Sequence, residues 1–438
     1  MTQGRCCAIN ALLAKKLAGG GKTFVIGSGS NGRLHMDYSP ERAGLNAERL
    51  SRITDFLKRN YIEPQKISGC QVVVARHGAL AYEASLGLMD IERARPMLDD
   101  TIFRIYSMTK PITSIALMQL YERGLFQLND PVHKIIPSWK NLSVYDGGDV
   151  DNMSLKSPDS PMTVRHLLGH MAGLSYGWSD HPVDEAYRRR DVSRGEGATL
   201  ESFVTQLSEL PLVYTPGTQW RYSLATDVCG HLVEALSGQP LDEYFAKHIF
   251  EPLGMTDTAF SVAPDKADRF AANYQRQADK SLKLIDDPER SNYLKHPTFF
   301  SGGGGLTGTI KDYLNFCEML RQKGVLGGER IIGSRTLAMM HRNHLPGGGD
   351  LASIALGDFS ETAYEGVGFG LGFATSMDEV ATGQIGAGDY YWGGAASTIF
   401  WVDPVEDLVV IFMTQLMPSA TFNFRGQLKN IVYSAIED

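Results

Sequence analysis

The sequence predicts an α/β protein in which the two ends of the chain build one sheet around a mostly helical middle. β-rich runs fall early, at Cys70–Ala75 and Ala79–Tyr82, and again late, at Gly366–Ala374, Gln384–Phe400 and Asp407–Thr414. Between about 108 and 285 the apolar residues recur mostly at helical spacing, with polar loops between them. The 46 glycines among 438 residues exceed the usual share of ~7%, and many gather at 302–308, 366–372 and 383–394, in the returning half. The expected partition is a flexible leader over 1–35, a discontinuous α/β domain over 36–115 and 290–438, and a mainly helical domain over 116–289.

From the start of the chain, Cys7–Ala14 is a short apolar run that leads straight into Lys15 and Lys16. A signal peptide has the opposite polarity. No run approaches the ~18 apolar residues of a membrane span, so a cytoplasmic protein is expected. Gly19-Gly20-Gly21-Lys22-Thr23 lacks both the earlier glycine (Lys16 stands there) and the preceding strand of a phosphate-binding loop. Asn46–Tyr61 reads as an amphipathic helix capped by Asn46, with Leu50, Ile53, Phe56 and Leu57 on one face. Two β-rich runs around Arg76-His77-Gly78 read as a hairpin. Phe103–Tyr106 is an extended approach to a helix over Pro111–Arg123, whose proline is tolerated in the first turn. Asp146–Pro161 and Asp180–Gly197 read as inserted surface loops. Leu408–Phe412 is a buried-strand run, and Phe424–Ile436 a closing helix.

Composition removes some function classes. Lys plus Arg is 42 and Asp plus Glu is 50, a net charge of −8, which argues against a nucleic-acid partner. Hydrophobic residues at 43% and charged ones at 21% are ordinary globular values and exclude global disorder. The five cysteines (Cys6, Cys7, Cys70, Cys229, Cys317) are odd in number and irregular in spacing. They fit neither a disulfide framework nor a zinc site, and read as structural thiols in a reducing compartment.

The chemistry centres on Ser107-Met108-Thr109-Lys110, the single Ser-x-x-Lys of the chain. Ser107 stands at a helix start and Lys110 one turn on, and residues three apart share a face. The ammonium can therefore lie beside the hydroxyl. A neutral lysine can take the serine proton, and a charged one can hold a neighbouring base in its anionic form. The helix N-terminus favours a developing oxyanion.

In this context the motif resembles the active-site motif of serine β-lactamases and penicillin-binding proteins. Further segments follow in the same order. Thr163–Leu174 and Pro216–Ser223 are similar to class C segments, and the second resembles the stretch that delivers that branch's catalytic tyrosine, here Tyr222. Pro252–Met255 and Gly303–Leu306 match further segments, and Trp392-Gly393-Gly394-Ala395 stands where β-lactamases carry Lys-Thr-Gly. Two departures set the branch. Tyr-x-Asn is replaced by Tyr222-Ser223-Leu224, and the lysine of Lys-Thr-Gly by Trp392. Both are similar to the family VIII carboxylesterases. The resemblance, over about 40–430, implies a β-lactamase/transpeptidase-like fold with an antiparallel sheet flanked by helices plus a mostly helical domain.

It also implies roles: Ser107 as nucleophile, Lys110 and Tyr222 as its activators, and the backbone N–H groups of Ser107 and Ala395 as oxyanion hole. Trp392, Gly393 and Gly394 would line the substrate. A tryptophan offers an apolar face and one N–H donor where lysine would bind a carboxylate, which favours uncharged groups. The expected activity is hydrolysis of short- to medium-chain carboxylic esters through an acyl-enzyme. It needs no cofactor or metal, takes a small-molecule ester, leaves room for weak β-lactam hydrolysis, and leaves the oligomeric state open. A phenolic base titrates near pH ~10, so activity is expected to peak at alkaline pH.

Other readings compete. Gly173-Leu174-Ser175-Tyr176-Gly177 is a literal Gly-x-Ser-x-Gly, but the residues before it read as a helix rather than the strand of a nucleophile elbow. His166 and His170 share a helical face, yet Leu167 stands where a zinc protease carries glutamate. The glycines at 302–305 read as a close-packing device near the site. The alternatives to an esterase are a class C-type β-lactamase or D-alanyl-D-alanine peptidase, and a non-catalytic binding protein on the same fold. Trp392 and Leu224 argue against the first, and the retained Ser107, Lys110 and Tyr222 against the second.

Overall fold

A computed structural model describes residues 23–29, 32–192, 197–356 and 362–438. Residues 1–22, with Cys6, Cys7 and the Gly19–Lys22 run, lie outside them. Towards the end of the segment expected as a leader, Thr23–Gly29 pairs antiparallel with Gly32–Asp37.

The expected hairpin forms and is longer than the apolar runs alone suggested: β1 spans Gly69–Arg76 and β2 Ala79–Asp90. Arg95–Pro96 (β3) pairs with β2 at one edge of the sheet. Ile102–Arg104 (β4) pairs with Thr307–Thr309 (β5) in a separate two-stranded ribbon. The late runs resolve into β6 (Val367–Phe369), β7 (Ala374–Ser376), β8 (Tyr390–Gly394), β9 (Thr398–Asp403) and β10 (Leu408–Thr414). The main sheet has the order β6-β7-β8-β9-β10-β1-β2-β3, and every neighbouring pair is antiparallel. Its centre joins β10 to β1, so the two ends of the chain meet there.

Every residue of β10 is buried, as a strand covered on both faces requires. Ile399 stands opposite Phe412, and Phe400 opposite Ile411, so Phe412 and Phe400 point to opposite faces. Phe412 stacks on Phe424 of the closing helix Phe424–Tyr433. Phe400 meets Tyr313 of the helix Ile310–Arg321 on the other side. A buried ion pair between Lys429 and Asp389 ties the closing helix to the entry of β8.

The predicted first helix is Ala47–Leu57, with the Asn46 side chain accepting from the Arg49 N–H as its cap. The helix after Ser107 is Thr109–Glu122; it runs unbroken across position 115. One expectation is overturned within Asp180–Gly197, where residues Pro182–Arg190 form a helix rather than a loop. The signals were present beneath the charge. Pro182 occupies the first turn, His181 caps, acids begin the helix, and Arg188–Arg190 end it, which suits the helix dipole. Likewise, 273–286 carries the hairpin Asn273–Arg276 and Leu282–Asp286 inside the segment read as mostly helical. Among the described residues, no helix is long and apolar enough to cross a membrane.

Candidate active site

Ser107 lies in a single helical turn, Tyr106–Met108, that leads directly into Thr109–Glu122. Tyr106 before it takes a left-handed backbone (φ 42), a conformation that costs a non-glycine residue about 1–3 kcal/mol. The turn is braced from two sides. The Ile105 N–H donates to Leu306 O at 3.1 Å, and the Leu306 N–H to Thr109 Oγ1 at 3.2 Å. On the other side β8 packs against it. Gly394 makes that approach feasible, because a Cβ there would sit 2.4 Å from the carbonyl oxygen of Ile105. Gly393 is buried beside it, and Ala395 follows, half-buried, in a turn closed by the Ser397 N–H on Gly394 O at 2.9 Å.

Lys110 is 2% exposed. Its ammonium donates to Ser107 Oγ at 3.2 Å and to the Gly303 carbonyl at 2.6 Å. It also lies 4.6 Å from the centre of the Tyr222 ring and 5.4 Å from that of Tyr176, where the π faces attract a cation. Tyr222 in turn accepts a hydrogen bond from the Trp392 indole N–H at 3.3 Å. Trp392 itself is 1% exposed, wedged edge-on against Phe369, so its N–H bond to the phenol is its main polar act. Ser107, Lys110, Tyr222 and Trp392 are thus brought together, and Gly393, Gly394 and Ala395 run along the adjoining strand end.

The competing motifs have other work. The buried Ser175 hydroxyl donates to Asp184 Oδ1 at 2.5 Å. Asp184 also pairs with Arg221 at 2.7 Å and accepts from the Ser179 N–H and hydroxyl, tying the loop of Ser175 to the segment carrying Tyr222. Arg221→Met is expected to leave Asp184 buried without its counter-charge and to cost about 3–5 kcal/mol of stability, read as a lowered midpoint in urea denaturation; an unchanged midpoint contradicts this. His166 caps its own helix, Val164–Leu168, by accepting from the Thr163 N–H. His170 is wholly buried against Tyr222, with its ring nitrogens facing Ser223 and Thr226. Burial, helped by the Lys110 charge, holds it well below the usual histidine range.

A model of the β-lactamase family, described as "Beta-lactamase", matches residues 56–431. The chain belongs to the β-lactamase family. Within that family it is 31% identical over 394 residues to Esterase EstB of Burkholderia gladioli, spanning 86% of this chain and 93% of the relative. It is 29% identical over 335 residues to Acyltransferase calJ of Penicillium decumbens, spanning 74% and 78%. Among solved structures it is similar to "EstCE1, a hydrolase with promiscuous acyltransferase activity", at 29% identity and a TM-score of 0.75, covering 88% of this chain and 99% of that one. The resemblance to the esterase branch of the β-lactamase fold is therefore borne out, and so is the antiparallel sheet with flanking helices.

Two parts of this β-lactamase-family site were not foreseen. Tyr176 and Trp178 stack at 4.2 Å, nearly parallel, and Tyr176 leans on Tyr222 at 5.2 Å. Trp178 is 60% exposed, so an aromatic step leads from solvent to the site. Asp227 lies behind Lys110, and its Oδ1 accepts from the Ser301 hydroxyl at 2.5 Å and the Gly303 N–H at 3.0 Å. Its only sequence signal is an acid in the first turn of the helix Ala225–Ser237, which any helix dipole explains.

Proposed function

We propose that the protein is a serine carboxylesterase that hydrolyses short- to medium-chain carboxylic esters through an acyl-enzyme on Ser107. The observation that carries this reading is the buried ammonium of Lys110, 3.2 Å from Ser107 Oγ and above the ring of Tyr222. Because the ammonium donates to Oγ, the serine's own proton is left to point at another acceptor. Tyr222, as its phenolate and with its oxygen held by the Trp392 N–H, takes that proton as Oγ attacks the ester carbonyl. The Oγ–carbon bond forms, and the N–H groups of Ser107 and Ala395 receive the oxyanion. The carbon–alkoxy bond then breaks, Tyr222 protonates the departing alcohol, and water repeats the sequence to release the acid. Trp392 in place of a lysine removes a cation that would attract a substrate carboxylate. In this reading, 36–115 with 290–438 form the domain that carries Ser107, and 116–289 the one that supplies Tyr222.

EstCE1 and calJ, by their names, favour a second reading of the same site, in which an alcohol replaces water at the deacylation step. Side-by-side assays test both. We expect p-nitrophenyl butyrate to be cleaved with a kcat/KM about 100-fold or more above that for nitrocefin, since Trp392 offers the latter's carboxylate no counter-charge. Dominant nitrocefin hydrolysis sinks the esterase reading. Butyl butyrate formed on adding butanol supports transfer.

A further inference from the structure

We propose that Asp227 is a positioning residue for this reaction: through the backbone at Ser301–Gly303 its carboxylate holds the Lys110 ammonium against Ser107. The inference rests on the reading of Ser107 as nucleophile. It deepens that reading by naming what keeps the buried cation in place.

The loop at 301–305 is clamped between two helices. From Ala225–Ser237, Asp227 Oδ1 accepts both the Ser301 hydroxyl and the Gly303 N–H. From Thr109–Glu122, Thr113 Oγ1 donates to the Gly302 carbonyl at 2.7 Å, and Lys110 Nζ to the Gly303 carbonyl at 2.6 Å. One residue, Gly303, thus has the carboxylate on its N–H and the ammonium on its carbonyl, across two successive peptide groups. The glycine is required there, since a Cβ would meet Asp227 Oδ2 at 2.4 Å. The expected close packing of this glycine run is present, but it also presents the carbonyl that receives Lys110.

A buried carboxylate is costly unless it is hydrogen-bonded and compensated. Asp227 is 2% exposed. Burial raises its affinity for a proton, while Ser301, the Lys110 charge and the Gly303 N–H work the other way. Other titratable groups face the pair from the packed elements. His170 is held neutral by burial, and the Cys229 thiol is pushed far up by burial and by Asp227 itself. Tyr176 and Tyr222 present their rings to Lys110. Both hydrogen bonds at Asp227 Oδ1 are accepted ones, as suits a carboxylate opposite the Lys110 ammonium. A carboxylate that merely anchored a loop would affect stability and leave the pH dependence of turnover alone.

The test uses the full chain with p-nitrophenyl butyrate from pH 5 to 10. Asp227→Asn keeps the shape and removes the charge. We expect kcat to fall about 10- to 100-fold with KM held within about twofold, as for a displaced reacting group. Loss of a negative charge makes each neighbouring group release its proton more readily, so the whole pH profile should move to lower pH by about one unit. Wild-type kcat, or a lower kcat on an unmoved profile, overturns the proposal. If Asp227→Asn does not fold, Ser301→Ala takes its place. Without that donor Asp227 takes up its proton at a higher pH, so the loss of activity on the acid side should begin at higher pH, and an unmoved acid limb overturns the proposal. Ser107→Ala separates the two levels. If it remains active, the reading of the site fails and this inference with it. If it is inactive while Asp227→Asn behaves as wild type, only the inference fails.

Discussion

Ser107→Ala is expected to lose about 10⁴-fold or more in kcat toward p-nitrophenyl butyrate, because no neighbouring side chain can replace Oγ as the atom that bonds the acyl carbon. The fold should survive. Ser107 sits in a turn braced by backbone hydrogen bonds and by the packing of β8, none of which uses its hydroxyl. The matched measurement is covalent labelling. An alkyl fluorophosphonate should add to the wild-type chain and not to Ser107→Ala in intact-mass spectra. Ser175→Ala is the discriminating control. Its hydroxyl donates to the buried Asp184 carboxylate, so its removal should cost about 1–3 kcal/mol of stability. The variant should nevertheless still be labelled and still turn over. Activity lost only in Ser175→Ala would move the nucleophile to the other motif.

Tyr222→Phe carries the second large effect. The ring contacts with Trp220, Trp392, His170 and Tyr176 need no oxygen, so packing is retained. The Trp392 N–H loses its acceptor, a penalty of about 1–3 kcal/mol of stability. Turnover should suffer far more. Loss of the group that takes the serine proton and returns it to the alcohol is expected to lower kcat by about 10²- to 10⁴-fold. KM should change little, since the ring still lines the site. The pH profile provides the sharper check. If the Tyr222 phenolate is the base, wild-type activity rises toward alkaline pH, and that rise should vanish in Tyr222→Phe. A wild-type profile already flat at pH 6, or a variant that keeps the alkaline rise, assigns the proton transfer elsewhere.

Legibility followed the range of each interaction. The Ser107–Lys110 contact could be read because one helical turn brings residues three apart together whatever surrounds them. The hairpin β1–β2, the Asn46 cap and the buried run of β10 were readable for the same local reason. The helix Pro182–Arg190 was missed because its charges hid the apolar spacing of Val183, Ala186 and Tyr187. Its proline start and its acid-to-base order were the better signal. Trp392 was singled out by its place in a series of segments, but its bond to Tyr222 joins residues 170 apart. No periodicity reports such a contact.

By itself, then, the sequence determined the α/β class, the pairing of serine with lysine, and the series of segments that marks the esterase branch. Each of these is written in neighbours along the chain or in the order of motifs. The tertiary structure alone decided that Ser175 serves a buried carboxylate, that Trp392 acts on the phenol, and that Asp227 stands behind Lys110. Those outcomes depend on which polar groups share a desolvated space. A buried charge or N–H must find whatever partner the fold brings to it, however far away that partner lies along the chain.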